Sequence, residues 1–187
     1  MPIPFHDAED IEELGSAAFL QIEAPEAGSA ERRGALLFIN ARGEPLEFVH
    51  NRIELLSSVL WRPSDRELAA ARRLALTLFH AATQQPSFLL CRASIVAPQL
   101  FGPDGQIVLH VPVGRIATSA EITGQANASE SFATPDANGE LQTTHVFWTP
   151  ASPTGAAADL FTRLAERALL LEPFERAAKG LHAVYGE

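Results

Sequence analysis

The segment Ala35-Leu36-Leu37-Phe38-Ile39-Asn40 begins with an unbroken apolar run and leads into the turn Ala41-Arg42-Gly43-Glu44. A second apolar segment, Pro45-Leu46-Glu47-Phe48-Val49-His50, follows this turn directly. Apolar runs without alternation are typical of strands that are buried on both faces. Because the connection is short and contains a glycine, we expect residues 35–50 to form an antiparallel hairpin whose first strand lies inside a sheet.

An amphipathic helix is predicted after this hairpin, over residues 64–83. Apolar residues recur there at intervals of three and four, namely Leu68, Ala71, Ala75, Leu78 and Ala82. Such a stripe predicts a helix that packs on a sheet. Ser64 and Glu67 have the spacing of a capping box, in which each side chain satisfies a backbone N–H at the start of the helix.

The remaining apolar segments complete the predicted fold. Strands are expected over residues 17–22, 87–91, 107–113 and 141–148, and a second packing helix over 156–171. Pro112 favours an edge position for its strand, and Pro173 ends the second helix before a final short one. The order predicts an α/β or α+β fold, in which two main packing helices cover a mixed sheet of about six or seven strands with an N-terminal β-hairpin.

The domain organisation is expected to be simple. A chain of 187 residues can bury a substantial core, so we expect a single domain over residues 1–187. Residues 1–15 hold many carboxylates and few apolar groups, which predicts an acidic N-terminal arm. Residues 117–139 are rich in small and polar residues without apolar periodicity, which predicts a mobile loop.

Composition excludes several classes of protein. The formal net charge is −9, and the single cysteine, Cys91, excludes an internal disulfide and a cysteine-based zinc cage. No apolar run approaches the roughly 20 residues that cross a bilayer, and the N-terminus lacks the pattern of a secretory signal. We therefore expect a cytoplasmic protein with no membrane partner. Residues 31–115 hold ten arginines against seven carboxylates, so a nucleic-acid site is expected only within residues 32–115.

Five residues of this basic segment are candidates for binding a partner. Trp61-Arg62 joins an aromatic ring to an arginine, a composition favoured at interface hot spots. Trp61 suits the core equally well. Arg52, Arg72 and Arg73 add further cations to the same segment.

The sequence contains no phosphate-binding loop, dinucleotide fingerprint, zinc-binding helix or nucleophile elbow. Arg92 beside Cys91 could activate the thiol, but free cysteines are more often small buried apolar residues. His50, His110 and His145 fall on predicted strands and would form a metal site if the sheet brought them together. Unlinked histidines more often lie half-exposed at strands, so we expect no metal and no other cofactor.

The order of the elements is similar to the first half of the ribonuclease H-like fold. In that order three strands precede a helix and a fourth strand, here at residues 17–22, 35–40, 46–50, 64–83 and 87–91. The hexapeptide Asn51-Arg52-Ile53-Glu54-Leu55-Leu56 resembles the start of that fold's first helix, where a glutamate is a metal ligand.

This resemblance implies two-metal hydrolysis of a phosphodiester, with carboxylates holding the ions. Glu54 would then be a catalytic residue. The carboxylates of the first and fourth strands are missing from the pattern. Glu23 is the nearest acid to the first strand, and Cys91 and Arg92 stand at the end of the fourth.

Three hypotheses for function follow. The missing motifs favour a non-enzymatic accessory or adaptor subunit of an intracellular bacterial complex, with a protein partner and without metal-dependent nuclease activity. The first alternative is a nucleic-acid-binding protein that uses arginines of residues 32–115. The second is a metal-dependent nuclease with a ribonuclease H-like core that uses Glu54 together with Glu23 or other acids.

Overall fold

A computed structural model describes residues 14–55, 59–101, 107–121, 130–135 and 141–186. Within these ranges seven strands form one mixed sheet and three α-helices pack on it, which is the expected α/β fold. The strands are β1 (Ala17–Glu23), β2 (Glu31–Ile39), β3 (Pro45–Glu54), β4 (Phe88–Arg92), β5 (Val113–Thr118), β6 (Glu130–Pro135) and β7 (Leu141–Thr149). The helices are α1 (Pro63–Ala81), α2 (Ala156–Glu166) and α3 (Glu172–Tyr185).

The strand order in the sheet is β3-β2-β1-β4-β5-β7-β6. β1, β2 and β3 pair in antiparallel fashion, whereas β1, β4 and β5 run parallel to one another. β7 and β6 extend the sheet as antiparallel strands beyond β5. The carboxyl ends of β1 and β4 therefore meet at one edge, which is where ligands of open α/β sheets bind.

The predicted hairpin is confirmed in β2 and β3. Leu36 pairs with Val49 in an antiparallel register that extends from Glu31 to Ile39. The apolar run is buried on both faces of the sheet: Leu36 and Phe38 face α1, and Leu37 and Ile39 face α2 and α3. Apolar and polar residues do not alternate along this strand because it lies between two layers of helices.

Side chains of the two neighbouring strands approach the backbone of Gly114 in β5 closely. A Cβ atom at this position would lie 2.7 Å from Cδ2 of Leu90 and 2.8 Å from Cζ3 of Trp148. The Trp148 indole packs edge-on against the rings of Phe88 and Phe161, with centroids 6.0 and 5.2 Å away. Absence of a side chain at Gly114 thus makes room for the indole on this face.

Helix α1 does not begin with the predicted capping box. Arg62 is the N-cap residue, Pro63 follows in the first turn, and the N-cap side chain makes no capping hydrogen bond. Ser64 Oγ lies 3.5 Å from Asp65 Oδ1, and Glu67 contacts Arg32 of the sheet. Proline starts this helix well because its fixed φ suits the first turn, where its missing N–H is not needed.

The expected strand over residues 107–113 is also corrected. Only Val113 of this range belongs to a strand, since β5 begins at that residue. Pro112 lies just before β5, and its carbonyl accepts a hydrogen bond from Leu89 N at 2.9 Å. β5 is an inner strand between β4 and β7 and is not at an edge. The proline therefore precedes the ladder, where its lack of an N–H costs no strand pairing.

Part of the segment predicted as a mobile loop is a strand. Residues 130–135 form β6, which pairs with β7, and the Phe132 ring packs on Phe161 at a centroid distance of 5.2 Å. One aromatic side chain thus anchors a segment of otherwise small and polar residues. Residues 122–129 and 136–140 of the predicted loop, and residues 1–13 of the predicted acidic arm, lie outside the described ranges.

The helix expected over residues 156–171 is shorter than predicted. It ends at Glu166, and Ala168 has a φ of 57°, which interrupts the helical path before α3 begins at Glu172 with Pro173 in its first turn. None of the helices in the described part of the chain is long and apolar enough to cross a membrane.

Candidate functional site

The carboxyl ends of β1 and β4 place polar side chains next to each other. Leu20 pairs with Cys91 in the parallel register, so the following residues, Gln21 and Arg92, are neighbours on the same face of the sheet. This is the face covered by α3, since the Arg92 guanidinium lies 5.9 Å from the centroid of the Phe174 ring. We call this surface the carboxyl edge, and it comprises Gln21, Glu23, Arg92, Glu121 and His182.

Arg92 is held in place by Glu121. Arg92 Nη2 lies 3.3 Å from Glu121 Oε1, which also accepts a hydrogen bond from Ser94 Oγ at 3.1 Å. The second carboxylate oxygen accepts hydrogen bonds from the backbone N–H and the hydroxyl of Thr118, at 2.7 and 3.0 Å. Burial raises the pKa of Glu121, but these hydrogen bonds and the charge of Arg92 outweigh burial and leave the pKa lowered.

This arrangement uses only part of the Arg92 guanidinium. Its Nε and Nη1 groups have no hydrogen-bond partner within the described ranges, and 27% of its side chain is exposed. A guanidinium offers five N–H donors. Arg92 can therefore remain bound to Glu121 and still donate to a ligand.

The second pair at the carboxyl edge is Glu23 with His182. His182 Nε2 of α3 lies 3.3 Å from Glu23 Oε1 at the end of β1. Glu23 Oε1 is buried and accepts no hydrogen bond from the described residues. Its contact with His182 is an ion pair whenever His182 is protonated. His182 is half-exposed, so the pair is open to solvent on the imidazole side.

An open cleft of about 490 Å³ extends from the ends of these strands toward α1, and Gln21, Glu23 and Ser94 help to line it. Arg32 and Glu67 contribute a further ion pair to its wall. Arg32 donates from Nε to Glu67 Oε2 at 2.9 Å and from Nη2 to the other carboxylate oxygen.

The rest of the Arg32 guanidinium is also engaged. Its Nη1 donates to the carbonyls of Ser29 and Glu31, at 2.7 and 2.8 Å. Glu67 therefore faces a cation that is fixed by the backbone, and its charge is compensated within the chain.

The resemblance to the ribonuclease H-like fold implies a divalent-cation site at this edge, but the donor groups do not fit one. The two adjacent strand positions supply the amide of Gln21 and the guanidinium of Arg92, whereas Mg²⁺ is held by carboxylates. Glu67 and Glu121 are each bound by an arginine. Within the described ranges no group of three or more His, Cys, Asp or Glu side chains could hold a metal ion.

Glu54 lies away from the carboxyl edge. It is the last residue of β3, the outer strand, and is separated from β1 by β2. Its exposed side chain borders a small depression that Arg66 and Arg73 also line. Residues 51–54 continue the strand, and the first helix begins only at Pro63, so the hexapeptide match to a helix start is corrected. The glutamate of the first helix that reaches the cleft is Glu67.

Three of the five predicted binding residues come together on the outward side of α1. Trp61, Arg72 and Arg73 line an open depression of about 560 Å³, and the Trp61 ring is 45% exposed. Arg62 is exposed beside them. We call this set, together with Leu68 and Leu76, which line the same depression, the α1 outer surface. This surface is distinct from the carboxyl edge because it faces away from the sheet.

The fifth predicted binding residue, Arg52, lies elsewhere. It is on β3, and its guanidinium lies 5.4 Å from the centroid of the Tyr185 ring of α3. Arg52 Nη1 is also 3.9 Å from Glu31 Oε2. Arg52 thus belongs to the outer edge of the sheet near β3 and does not extend the α1 outer surface.

The cysteine and histidine candidates lack the geometry that catalysis or metal binding requires. Cys91 points into the core under α1, and burial raises the pKa of its thiol to about 12, although the charge of Arg115 lowers it. Arg92, the expected activating cation, points to the opposite face. His50 is on β3 and His145 on β7, which are separated by four strands, so they cannot converge with His110 on one metal.

Sequence patterns did not identify most of the carboxyl edge. Gln21, Glu121 and His182 belong to no motif, and the sequence indicates Arg92 only as a neighbour of Cys91 and as a departure from the carboxylate of the fourth strand. Alternation along β1 and β4 does place Gln21 and Arg92 on one face, but the register that makes them neighbours is visible only in the structure.

The strand order and the crossover through α1 define a ribonuclease H-like fold, as the sequence resemblance predicted. Endonuclease V from Bacillus subtilis aligns over 93% of this chain and 82% of its own, with a TM-score of 0.54 and 13% identity. The catalytic domain of human endonuclease V aligns over 92% and 84%, with a TM-score of 0.56 and 11% identity.

A third similar structure contains nucleic acid. Endonuclease V from Ciona intestinalis, in complex with a 24mer DNA containing an inosine followed by a ribo-adenosine, aligns over 91% of this chain and 87% of its own. The TM-score is 0.55 and the identity 9%. No protein-family model matches the sequence, and no curated protein matches it significantly.

These neighbours overturn the expectation of a non-enzymatic accessory or adaptor subunit. The three endonuclease V structures share the fold over most of both chains, which favours the alternatives that involve nucleic acid over an adaptor. The expectation that the chain is not an enzyme is corrected for the same reason. The expected protein partner has no counterpart among these similarities.

Proposed function

We propose that this chain is a nucleic-acid-processing protein that binds a DNA or RNA strand across the carboxyl edge of its sheet. The observation that carries the proposal is the cleft at the ends of the parallel strands β1 and β4, at the position where open α/β sheets bind their ligands. The endonuclease V structures support it, because they share this strand arrangement.

The charges at the carboxyl edge and in the adjoining cleft suit a phosphate backbone. At the carboxyl edge, Arg92 has N–H groups available beside Gln21. In the cleft, Arg32 compensates the carboxylate of Glu67. Local cations of this kind can bind phosphates although the chain as a whole is acidic, since the attraction acts over about one Debye length, roughly 10 Å.

The α1 outer surface would extend the contact along the strand. An exposed tryptophan can stack on a base of any identity, and arginines next to it can bind the flanking phosphates. Trp61, just before α1, and Arg72 and Arg73 of α1 provide this combination around one depression. The proposed role of these residues is therefore affinity without sequence preference.

The catalytic part of the proposal rests on Glu23 and His182. The exposed imidazole of His182 can accept a proton from a water or hydroxyl group or donate one to it, and the Glu23 carboxylate lies 3.3 Å from its Nε2. We therefore assign to this pair the acid–base role in hydrolysis of a bound strand. A cytoplasmic location, where both DNA and RNA are present, is part of the same proposal.

The test combines binding and cleavage on one set of labelled oligonucleotides, as single strands and duplexes of DNA and of RNA. We expect fluorescence anisotropy to show binding that weakens as salt rises. We expect denaturing gels to show cleavage that His182→Gln and Glu23→Gln each reduce by roughly 10²-fold or more. Arg42→Gln, at the opposite edge of the sheet, is the matched control for loss of a surface cation.

Failure to bind every oligonucleotide at low salt would refute the proposal. Binding without cleavage under any condition would refute the catalytic part alone. Circular dichroism of each variant identifies any loss of activity that comes from unfolding.

A further inference from the structure

We infer that Arg92 supplies the positive charge that binds the phosphate backbone at the carboxyl edge, so that strand binding needs no divalent cation. The inference rests on the proposed function, and it assigns the ligand of this site as a phosphodiester that accepts hydrogen bonds directly from a guanidinium. The starting observation is that the donor groups at this edge do not fit the metal site that the fold implies.

The position of Arg92 is the first argument. The residue stands at the end of β4 beside Gln21 of β1, where the resemblance implies metal-binding carboxylates. A carboxylate pair there would need a cation before a phosphate could approach, because like charges repel. An arginine and a neutral amide need no such cation, and both can donate hydrogen bonds to phosphate oxygens.

The support behind Arg92 is the second argument. Glu121 is fixed by Thr118 and Ser94, and it holds only Nη2 of the guanidinium. The Phe174 ring lies 5.9 Å from the guanidinium carbon on the α3 side. Arg92 is thus oriented before a ligand arrives, while Nε and Nη1 have no partner in the described part of the chain. Glu121 is a positioning residue in this arrangement.

The remaining carboxylates of the cleft do not oppose this role. Glu67 is bound through both of its oxygens by Arg32. Glu23 lies against His182, which carries a positive charge when protonated. Glu23, Glu67 and Glu121 thus each lie against a basic side chain, which reduces the negative charge that a strand meets there.

The experiment measures binding of a labelled single-stranded oligonucleotide to the intact chain, in excess EDTA and in millimolar Mg²⁺ or Mn²⁺ at matched ionic strength. We expect the affinity in EDTA to equal or exceed the affinity with either metal. We expect Arg92→Gln to weaken binding roughly tenfold, as loss of a charge-assisted hydrogen bond does. The slope of log affinity against log salt should fall by about 0.7, the value for one phosphate contact on a single strand.

Arg42→Gln is the control, since Arg42 lies in the β2–β3 turn at the opposite edge of the sheet. It should leave both the affinity and the salt slope close to those of the unchanged chain. Glu121→Gln tests the positioning role: it should weaken binding less than Arg92→Gln and leave the salt slope nearly unchanged, because the cation is still present.

A second measurement does not depend on nucleic acid. We expect the Tm of the unchanged chain to be insensitive to Mn²⁺, and the double variant Gln21→Asp with Arg92→Asp to gain a Mn²⁺-dependent rise in Tm, because it offers two adjacent carboxylates.

The outcomes separate this inference from the proposed function. Binding that requires Mg²⁺ or Mn²⁺, or an Arg92→Gln variant with unchanged affinity and salt slope, would overturn the inference and leave strand binding intact. A Mn²⁺-dependent rise in the Tm of the unchanged chain would overturn it as well, and this result remains decisive if the double variant does not fold. Absence of binding in every condition would refute the proposed function and the inference together.

Discussion

The carboxyl edge and the α1 outer surface both present arginines, and the two surfaces hold them in different ways. Arg92 at the carboxyl edge is fixed by Glu121, and Arg32 in the adjoining cleft is fixed by Glu67 and two backbone carbonyls. The Arg72 side chain on α1 is exposed and makes no hydrogen bond or ion pair with the described residues. Fixed cations define where a phosphate can lie, whereas mobile cations add attraction without defining a position.

The largest effect on strand binding is expected at Trp61, the residue that most clearly distinguishes the α1 outer surface from the carboxyl edge. Trp61→Ala should weaken binding of single strands by about 1–3 kcal/mol, the value for one base stacked on an aromatic ring. Fluorescence anisotropy in EDTA measures the loss. Trp61→Phe should retain most of the affinity, because it keeps a ring for stacking. An equal loss in both variants would show that the surface does not bind bases by stacking.

The next effect concerns stability and separates the fixed cation from the mobile one. Arg32→Ala should lower the free energy of unfolding by roughly 1–2 kcal/mol, because the carbonyls of Ser29 and Glu31 and the carboxylate of Glu67 all lose a donor. Arg72→Ala should change it by less than about 0.5 kcal/mol. Urea unfolding of both variants measures the difference. Similar values for the two would contradict the distinction between the surfaces.

A smaller effect should depend on pH. The pKa of Glu121 in the folded chain is lowered from its ordinary value of 4.5, so its charged form stabilises the fold. This contribution, roughly 1 kcal/mol, is present above the ordinary pKa and is lost as the pH falls through the lowered one. Unfolding of Glu121→Gln and the unchanged chain should therefore differ by a constant amount above about pH 5, and the difference should shrink below about pH 4. A difference that grows on acidification would contradict the sign of the shift.

The smallest effect is expected at Cys91, which is next to Arg92 in sequence and faces the opposite way. Its thiol is buried and its pKa is raised to about 12, so alkylation of the folded chain near pH 8 should be undetectable. The same reagent should modify the thiol fully after unfolding in urea. Rapid modification of the folded chain would contradict the burial of Cys91 on the face opposite to Arg92.

The sequence was sufficient for the parts of the fold that depend on local patterns. The apolar run at residues 35–39 predicted a buried strand, and the stripe from Leu68 to Ala82 predicted the helix that covers it. These elements follow from periodicity and turn residues within short segments. The fold predicted from the similarity of their order to the ribonuclease H-like fold was correct for the same reason.

The candidate site depends on residues that are far apart in sequence. Gln21 and Arg92 are brought together by a parallel strand pairing, and Glu23 meets His182 through packing of the last helix on the sheet. The spacing of Ser64 and Glu67 predicts a helix cap, and nothing in the neighbouring sequence indicates that Glu67 contacts Arg32. The hexapeptide that contains Glu54 resembles a helix start, but β3 extends as far as Glu54.

Gly114 has a consequence for natural variation in chains of this kind. Its missing side chain leaves the space that the Trp148 indole and Leu90 fill. A homologue with alanine or a larger residue at this position should carry a smaller one at position 148 or 90. In an alignment these columns should therefore change together, and such coupled substitutions would identify distant relatives whose overall identity is too low to reveal them.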